Sequence, residues 1–406
     1  MTSVAVLAAV LAGCGSTPKS SSAAQASAAP GSCPQTVLEV LGKVVARAYR
    51  EGVSSERTAI ARRVIAGSAA LRQAVEGDNA AAARAAAQAL VADGHITNLR
   101  VMRGSSTLAD VGGPALAPLR GTITGAGGAP IGSYVASVWS DGGFLAETDG
   151  LAEGAVALRV NGRSVGGSFP LPTGTLPAEG TLTRGRVLYR YTSFPAETYP
   201  SGSARVYLLK SVRSTTAFCG PTSEDTLVNT LSHVASLIYA GEAGSRTVPQ
   251  VHRVQRNQPL LLAVSRHDPA AAKLAIEGLL NEHVVRLRVN AGGRLLADVG
   301  GPYVLAPVRA PLRLGGRTIG NLVLSIQDDE GYLRLAKRLA GLDVLMYMNP
   351  AHPKLVKNSL GAAPGAVPAS GSYQYRGRTF RVFTLNAGAF PSGPLRIQVL
   401  IPIPYS

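Results

Sequence analysis

Two long segments of the chain carry apolar side chains at the spacing of an amphipathic helix. Residues 36–51 (TVLEVLGKVVARAYRE) and 226–242 (TLVNTLSHVASLIYAGE) repeat apolar residues every three to four positions, with Tyr49 and Tyr239 in register. This spacing places the apolar side chains on one face of a helix. Each segment is therefore predicted to be a helix that packs on its own half of the chain.

Alternating polar and apolar positions follow each helical part. Residues 96–101 and 284–289 alternate and are rich in β-branched side chains, which predicts strands. The sequence Ala-Asp-Val-Gly-Gly-Pro then occurs at 109–114 and again, unchanged, at 297–302. A repeat of about 190 residues has the size of a domain, so the chain is predicted to be two tandem copies of one module.

The order of the predicted elements gives the fold class. A second helix is predicted to begin at Asp78 and at Asp268, and each copy ends in a hairpin whose turn contains Pro-Ser-Gly. Helices followed by strands with short turns indicate an α+β fold. We expect an N-terminal helical part and a five- to six-stranded antiparallel sheet in each copy.

The N-terminus carries a short apolar run that resembles the signal peptide of bacterial lipoproteins. Residues 4–11 are too few to span a bilayer, and Leu11-Ala12-Gly13-Cys14 resembles a lipobox. The resemblance implies a signal peptide over residues 1–14, a lipidated Cys14 and a membrane-anchored mature chain. Residues 15–32, rich in Ser, Ala, Gly and Pro, are predicted to be a flexible tether. A chance apolar N-terminus with a buried cysteine is the alternative.

Charge and cysteine content narrow the partners. The net charge of +16 comes from scattered arginines with no run of five basic residues, so no nucleic-acid partner is predicted. The charge fits solvated faces, or contact with an anionic membrane or cell-wall surface. Cys33 and Cys219 each precede the first helix of their copy, which in an exported protein favours a disulfide between them, with two buried free thiols as the alternative.

The two copies resemble the extracytoplasmic PAS-like sensor domains called Cache domains, over residues 33–213 and 217–406. The likeness lies in the element order, in LRV followed by LADVGGP, and in SIQDDEGY at 325–332. It implies a small polar ligand such as an amino acid, a carboxylate or an amine, and a membrane signalling protein as partner. By analogy the ligand-binding residues of the second copy are Ser325, Gln327, Asp328, Asp329, Tyr332, Asp343 and Tyr347.

The first copy has fewer polar groups at the matching positions. Its residues matching the first five of these are Ser137, Trp139, Ser140, Asp141 and Phe144, so the second copy is the predicted binding site. A charged turn in which an Asp caps a helix explains residues 328–331 equally well.

No enzymatic chemistry is predicted. The sequence has no G-x-S-x-G elbow, no H-E-x-x-H pair and no phosphate-binding loop, so we expect neither catalysis nor a cofactor or metal. The leading functional prediction is a membrane-anchored extracytoplasmic lipoprotein that binds a small molecule without chemical turnover. The alternative is a structural or protein-interaction lipoprotein of the envelope with no small-molecule ligand.

Overall fold

The computed structural model describes residues 32–94, 96–241, 247–280, 284–349, 352–362, 364–391 and 393–406. The expected signal peptide, Cys14 and the tether up to residue 31 lie outside the described residues. Lipidation of Cys14 therefore stays a prediction.

Module 1, residues 33–213, begins with four helices and continues with strands around a fifth helix. The helices are α1 (Cys33–Val53), α2 (Glu56–Gly67), α3 (Ala69–Glu76), α4 (Ala80–Ala92) and α5 (Asp141–Ala152). The strands are β1 (Asn98–Arg103), β2 (Ser106–Gly112), β3 (Ala115–Leu116), β4 (Leu119–Thr124), β5 (Pro130–Ser137), β6 (Trp139–Ser140), β7 (Ala155–Val160), β8 (Arg163–Gly167), β9 (Glu179–Arg184), β10 (Val187–Tyr199) and β11 (Gly202–Ser211). A short helix α6 (Val212–Thr215) and a 3-10 turn (Thr216–Phe218) lead to the second module.

Module 2, residues 217–406, repeats this order. Its helices are α7 (Ser223–Gly241), α8 (Thr247–Gln255), α9 (Gln258–Ser265), α10 (Pro269–Leu280) and α11 (Asp329–Ala340). Its strands are β12 (Arg286–Ala291), β13 (Arg294–Gly300), β14 (Val304–Leu305), β15 (Val308–Leu314), β16 (Arg317–Ser325), β17 (Asp343–Met348), β18 (Lys354–Asn358), β19 (Gly371–Tyr375), β20 (Arg378–Phe390) and β21 (Gly393–Ile403).

Each module contains two antiparallel sheets. The first sheet has the order β2-β1-β5-β4 in module 1 and β13-β12-β16-β15 in module 2. The second sheet has the order β6-β3-β10-β11-β7-β8, with β9 on β10, and in module 2 the order β14-β20-β21-β17-β18, with β19 on β20. The predicted class, α+β with two tandem PAS-like modules, is confirmed. The structure differs from the prediction in one detail: we expected one sheet of five to six strands in each copy, and each module has two sheets.

The helices of each module divide between its two sheets. Helices α2, α3 and α4 cover the first sheet of module 1, and α8, α9 and α10 cover that of module 2. In each module, these three helices and the first sheet enclose an apolar core of their own. The second helix of module 1 was expected to start at Asp78; α4 instead has Asn79 as its N-cap, with the Asn79 side chain accepting from Ala82 N at 3.0 Å.

Helices α1, α5, α7 and α11 join the two modules. Each of α1 and α7 packs on α5 and on α11 as well as on the other, so equivalent surfaces contact each other reciprocally. Such reciprocity is the mark of an isologous, two-fold interface, here formed within one chain. One apolar core runs through these four helices and the facing second sheets. The predicted disulfide between Cys33 and Cys219 is present at the start of α1 and α7, with Cα atoms 5.5 Å apart.

The repeated Ala-Asp-Val-Gly-Gly-Pro motif connects the two sheets of its module. The first glycine of each Gly-Gly pair has a positive φ, +100° at Gly112 and +131° at Gly300, and a Cβ there would overlap the carbonyl oxygen of Thr97 or Val285. The backbone therefore requires glycine at this position. The second glycine of each pair has neither constraint.

The aspartate of the motif holds arginines that lie against the second sheet. In module 1, Asp110 accepts from Arg100 at 2.8 Å and from the Tyr199 hydroxyl at 2.6 Å. In module 2, Asp298 binds Arg286 at 2.8 Å and Arg288 at 2.6 Å, and both guanidinium groups lie over the Phe390 ring. The motif is thus a structural junction in both copies.

Candidate functional site

The seven predicted ligand-binding residues lie near α11 and β17, and most of their polar groups are used by the fold. Asp328 is the N-cap of α11, where its side chain accepts from Gly331 N at 2.6 Å. Tyr332 is fully buried and its hydroxyl donates to Ala235 O at 3.0 Å, and burial raises its pKa. Both side chains therefore have a structural role, and for Asp328 it is the helix cap that the sequence offered as the alternative.

Ser325 is also held within the protein. Its buried hydroxyl bonds the Leu305 carbonyl and contacts the backbone of Gln327. Ser137 makes the same contacts with Leu116 and Trp139 in module 1. Because both copies share this geometry, it belongs to the strand junction that all copies of the fold need.

Asp343 and Tyr347, on β17, also have partners. Asp343 is only 2% exposed, and Lys337 Nζ lies 2.9 Å from both of its carboxylate oxygens. Ser359 Oγ adds a hydrogen bond of 3.2 Å. Tyr347 lies under the guanidinium of Arg396, 5.1 Å from its ring centroid.

Gln327 and Asp329 each have a buried side-chain atom that lacks a hydrogen-bond partner among the described residues. Gln327 is 3% exposed, and neither its amide nitrogen nor its amide oxygen has a hydrogen-bond partner in the described part of the chain. Burial raises the pKa of Asp329, although Lys357, at 3.3 Å, favours the charged form and offsets part of this effect. None of the seven lines the two grooves described below, and their role in ligand binding stays a prediction.

Asp141 of module 1, which matches Asp329, has no lysine at the position equivalent to Lys357. Asp141 begins α5 as Asp329 begins α11, but Gly166 pairs with β7 where Lys357 pairs with β17. Oxygen Oδ1 of Asp141 is buried and has no partner among the described residues. Burial raises the pKa of Asp141 to about 6.

A groove crosses the boundary between the two modules where α5, α7 and α11 meet. Its volume is 360 Å³, and we call it the inter-module groove; it is lined by Ala146, Glu147, Gly150, Leu151, Leu237, Ile238, Ala240, Gly241, Leu335 and Leu339. Buried Leu151, Ile238 and Leu339 form its floor. Four small residues, Ala146, Gly150, Ala240 and Gly241, line it at exposed positions. Glu147 is the only ionisable side chain among the described residues of the lining.

The two-fold arrangement places an equivalent groove on the other side of the interface. We call it the charged groove; it has a volume of 330 Å³ and is lined by Arg47, Arg50, Glu51, Arg338 and Ser406. Arg338 Nε donates to Glu51 at 2.5 Å, and Arg47 contacts the Ser406 carbonyl. Tyr405 packs beside it under Lys43 and Arg47, and burial raises its pKa to about 12.

Aligning the helices shows why the grooves differ. The ring pairs Tyr49–Phe144 and Tyr239–Tyr332, with centroids 6.3 and 6.1 Å apart, fix the register of the helices. In that register Gly150 matches Arg338, Gly241 matches Glu51, Ala240 matches Arg50 and Leu237 matches Arg47. The inter-module groove is therefore apolar because small or aliphatic residues replace the charged ones.

The sequence carried a signal for this groove that motif reading missed. Exchange of four charged residues for Gly, Ala and Leu is visible when the copies are aligned, but no motif marks it. Among the described residues, no three His, Cys, Asp or Glu side chains come together as a metal site. Within the same residues, no helix is both long and apolar enough to cross a bilayer.

Comparison with solved structures gives distant likenesses, among them the following two. The periplasmic domain of LuxQ from Vibrio cholerae is 14% identical, with a TM-score of 0.29, over 41% of this chain and 95% of that domain. An extracellular ligand binding receptor from Desulfohalobium retbaense is 12% identical, with a TM-score of 0.24, over 56% of this chain and 47% of the receptor. No protein-family model and no curated protein matches the chain.

Proposed function

We propose that the protein is a non-catalytic ligand-binding module of the Cache type on the outer side of a cell membrane, with its ligand in the inter-module groove. The observation that carries this proposal is the groove itself. At 360 Å³ it lies within the size range of small-molecule sites, about 300–1,000 Å³, and side chains of both modules line it.

A ligand in this position can act as a signal. It would contact α5 of module 1 together with α7 and α11 of module 2. A ligand that binds one arrangement of the modules more tightly than another shifts the population toward it. A membrane signalling protein that contacts both modules is the proposed receiver of that shift.

We expect no chemical turnover in the groove because of the residues that line it. Of the lining residues that the structure describes, Glu147 is the one with an ionisable side chain, and the others are Ala, Gly, Leu and Ile. A general base needs a second group that acts as nucleophile, acid or oxyanion donor. No second group of this kind stands among the described lining residues, so we expect the groove to bind and release a molecule unchanged.

The membrane anchor is a separate part of the proposal. Two acyl chains on Cys14 would hold the protein stably at the membrane, and residues 15–32 would separate it from the surface. We expect Cys14→Ser to release the protein into the soluble fraction. A Cys14→Ser protein that still sediments with membranes would contradict lipidation.

The ligand-binding function is tested by thermal unfolding of residues 33–406, which contain every element of both modules. The panel contains amino acids, carboxylates, amines, nucleosides and n-alkanols. A ligand that binds only the folded state raises Tm by mass action. If no class of molecule raises Tm or gives heat on titration, the structural or interaction lipoprotein is the better account.

A further inference from the structure

The lining of the inter-module groove specifies what kind of ligand it accepts. Its floor and walls are the aliphatic side chains Leu151, Leu237, Ile238, Leu335 and Leu339. Among the described residues, the lining contains no aromatic ring and no side-chain hydrogen-bond donor, and Glu147 is its one side-chain acceptor. An amino acid or nucleoside placed there would leave polar groups without partners, which costs more than its apolar atoms recover.

The shape of the groove favours a chain over a compact molecule. Ala146 and Gly150 lie one turn apart on the same face of α5, and Ala240 and Gly241 end α7. A Cβ added at Gly150 or at Gly241 would meet no atom of the described residues within 4 Å. The small residues thus leave an open trough along the helices above the aliphatic floor.

From these two observations we infer that the inter-module groove binds one linear alkyl chain, such as the acyl chain of a lipid or of a free amphiphile. This inference rests on the proposed function and adds the ligand class. It also assigns one site to each chain, because the charged groove has Arg50, Glu51 and Arg338 at the matching positions. Burying a methylene group there would leave charged groups desolvated.

The test is calorimetric titration of residues 33–406 with n-alkanols from hexanol to dodecanol. Burial of each further methylene strengthens binding, so Kd is expected to fall about fourfold per CH₂ until the groove is full and then to level off. The expected stoichiometry is one. A Kd that does not depend on chain length would overturn the inference.

Variants that fill the groove test whether the alkyl chain binds there. Gly150→Leu fills it from α5, and Ala240→Leu fills it from α7. Each is expected to weaken decanol binding at least tenfold. Gly142→Leu is the matched control, because Gly142 lies on α5 outside the groove and a Cβ there also meets nothing within 4 Å. Equal Kd values for wild type and both filled variants, with native circular dichroism, would place the alkanol elsewhere and overturn the inference.

Two further measurements distinguish between classes of ligand and between a membrane lipid and a free amphiphile as the source of the alkyl chain. Binding of an amino acid or nucleoside without alkanol binding would overturn the alkyl-chain inference and leave the proposed function standing, whereas binding of no compound would overturn both. Incubation with phosphatidylglycerol vesicles that carry a pyrene-labelled acyl chain tests the source. Transfer of labelled lipid to the protein, blocked by Gly150→Leu, identifies a membrane lipid; alkanol binding without transfer identifies a free amphiphile.

Discussion

The inter-module groove and the charged groove are formed by equivalent helices of a duplicated chain, yet they present opposite surfaces. Arg338 and Glu51 form an ion pair on one side, and Gly150 and Gly241 stand at the matching positions on the other. The backbone is the same, so the difference is due to the side chains. Duplication supplied two copies of a surface, and substitution in one copy left space that a ligand can occupy.

The same comparison distinguishes structural residues from candidate functional ones. Features that recur in both modules, such as Ser137 and Ser325 or Asp110 and Asp298, bond the fold together. Features that differ between equivalent positions include structural groups such as Tyr332 and Asp343, and also the lining of the inter-module groove. We therefore expect substitutions at shared positions to lower stability and substitutions in the inter-module groove to change binding.

The largest effect is expected from the bond that fixes the two modules in register. The Cys33–Cys219 disulfide closes a separation of 186 residues, and its removal by Cys33→Ser with Cys219→Ser should lower the free energy of unfolding by about 2–5 kcal/mol. Urea unfolding measures the change. Cys14→Ser is the control that keeps the bond, and an unchanged urea midpoint in the double variant would show that α1 and α7 do not need it.

The next effect compares the two copies of the motif aspartate. Asp298→Ala leaves Arg286 and Arg288 without their shared counter-charge, and side-chain exposure of Arg286 is only 12%. We expect a loss of about 3 kcal/mol in unfolding free energy. Asp110 is 36% exposed, so Asp110→Ala should cost about 1 kcal/mol. Equal losses of unfolding free energy would show that the deeper burial of Asp298 does not make it more important for stability than Asp110.

Sequence patterns predicted most of the architecture because the repeat supplies its own alignment. The apolar periodicity located α1 and α7, and the matched positions of Cys33 and Cys219 indicated the disulfide. The second sheet was not predicted. Along the chain, Ala115–Leu116 stands between two strands of the first sheet, but it pairs with Trp139–Ser140 and with β10 in the second. Strands of two residues carry no period that a sequence pattern could show.

The candidate site was harder to predict from sequence. Asp328, Tyr332 and Asp343 look like ligand-binding groups because they are polar and differ from the first copy. The structure uses them as a helix cap, a buried hydrogen bond and an ion pair with Lys337. The inter-module groove is lined by three helices from distant parts of the chain, and its Gly and Ala residues carry no chemistry of their own.

A third prediction concerns pH and the aspartates that begin α5 and α11. The pKa of Asp141 is raised to about 6, above the ordinary aspartate value of about 4, so the folded protein loses stability as pH rises from about 4 through 6. Asp141→Asn removes that loss and should stabilise the protein by about 1 kcal/mol at pH 8, after allowance for screening by water, with no gain at pH 3.

Asp329→Asn is the internal control for this pH effect. Lys357 offsets part of the burial effect at Asp329, so the gain at pH 8 should be smaller than that of Asp141→Asn. Thermal unfolding at pH 3 and pH 8 measures both variants. A gain at pH 8 that is equal in the two variants, or a gain for Asp141→Asn that persists at pH 3, would contradict the burial of an unpaired carboxylate.

The smallest effect on stability is expected from exchanging the two groove surfaces. Gly150→Arg with Gly241→Glu copies the Arg338–Glu51 pair into the inter-module groove. We expect a change within about 1 kcal/mol, because both positions are open and exposed ion pairs contribute little. Decanol binding should nevertheless be lost. A double variant that binds decanol as tightly as wild type would show that the grooves do not differ in function.

The most direct test of the account is a crystal structure of residues 33–406 grown with a brominated alkanol, whose anomalous signal locates the chain without bias. We predict one bromine position per protein chain, between α5, α7 and α11 and beside Gly150 and Leu339. A bromine peak between Arg47, Arg50 and Arg338, or within the sheets of either module and not in the inter-module groove, would contradict the central claim.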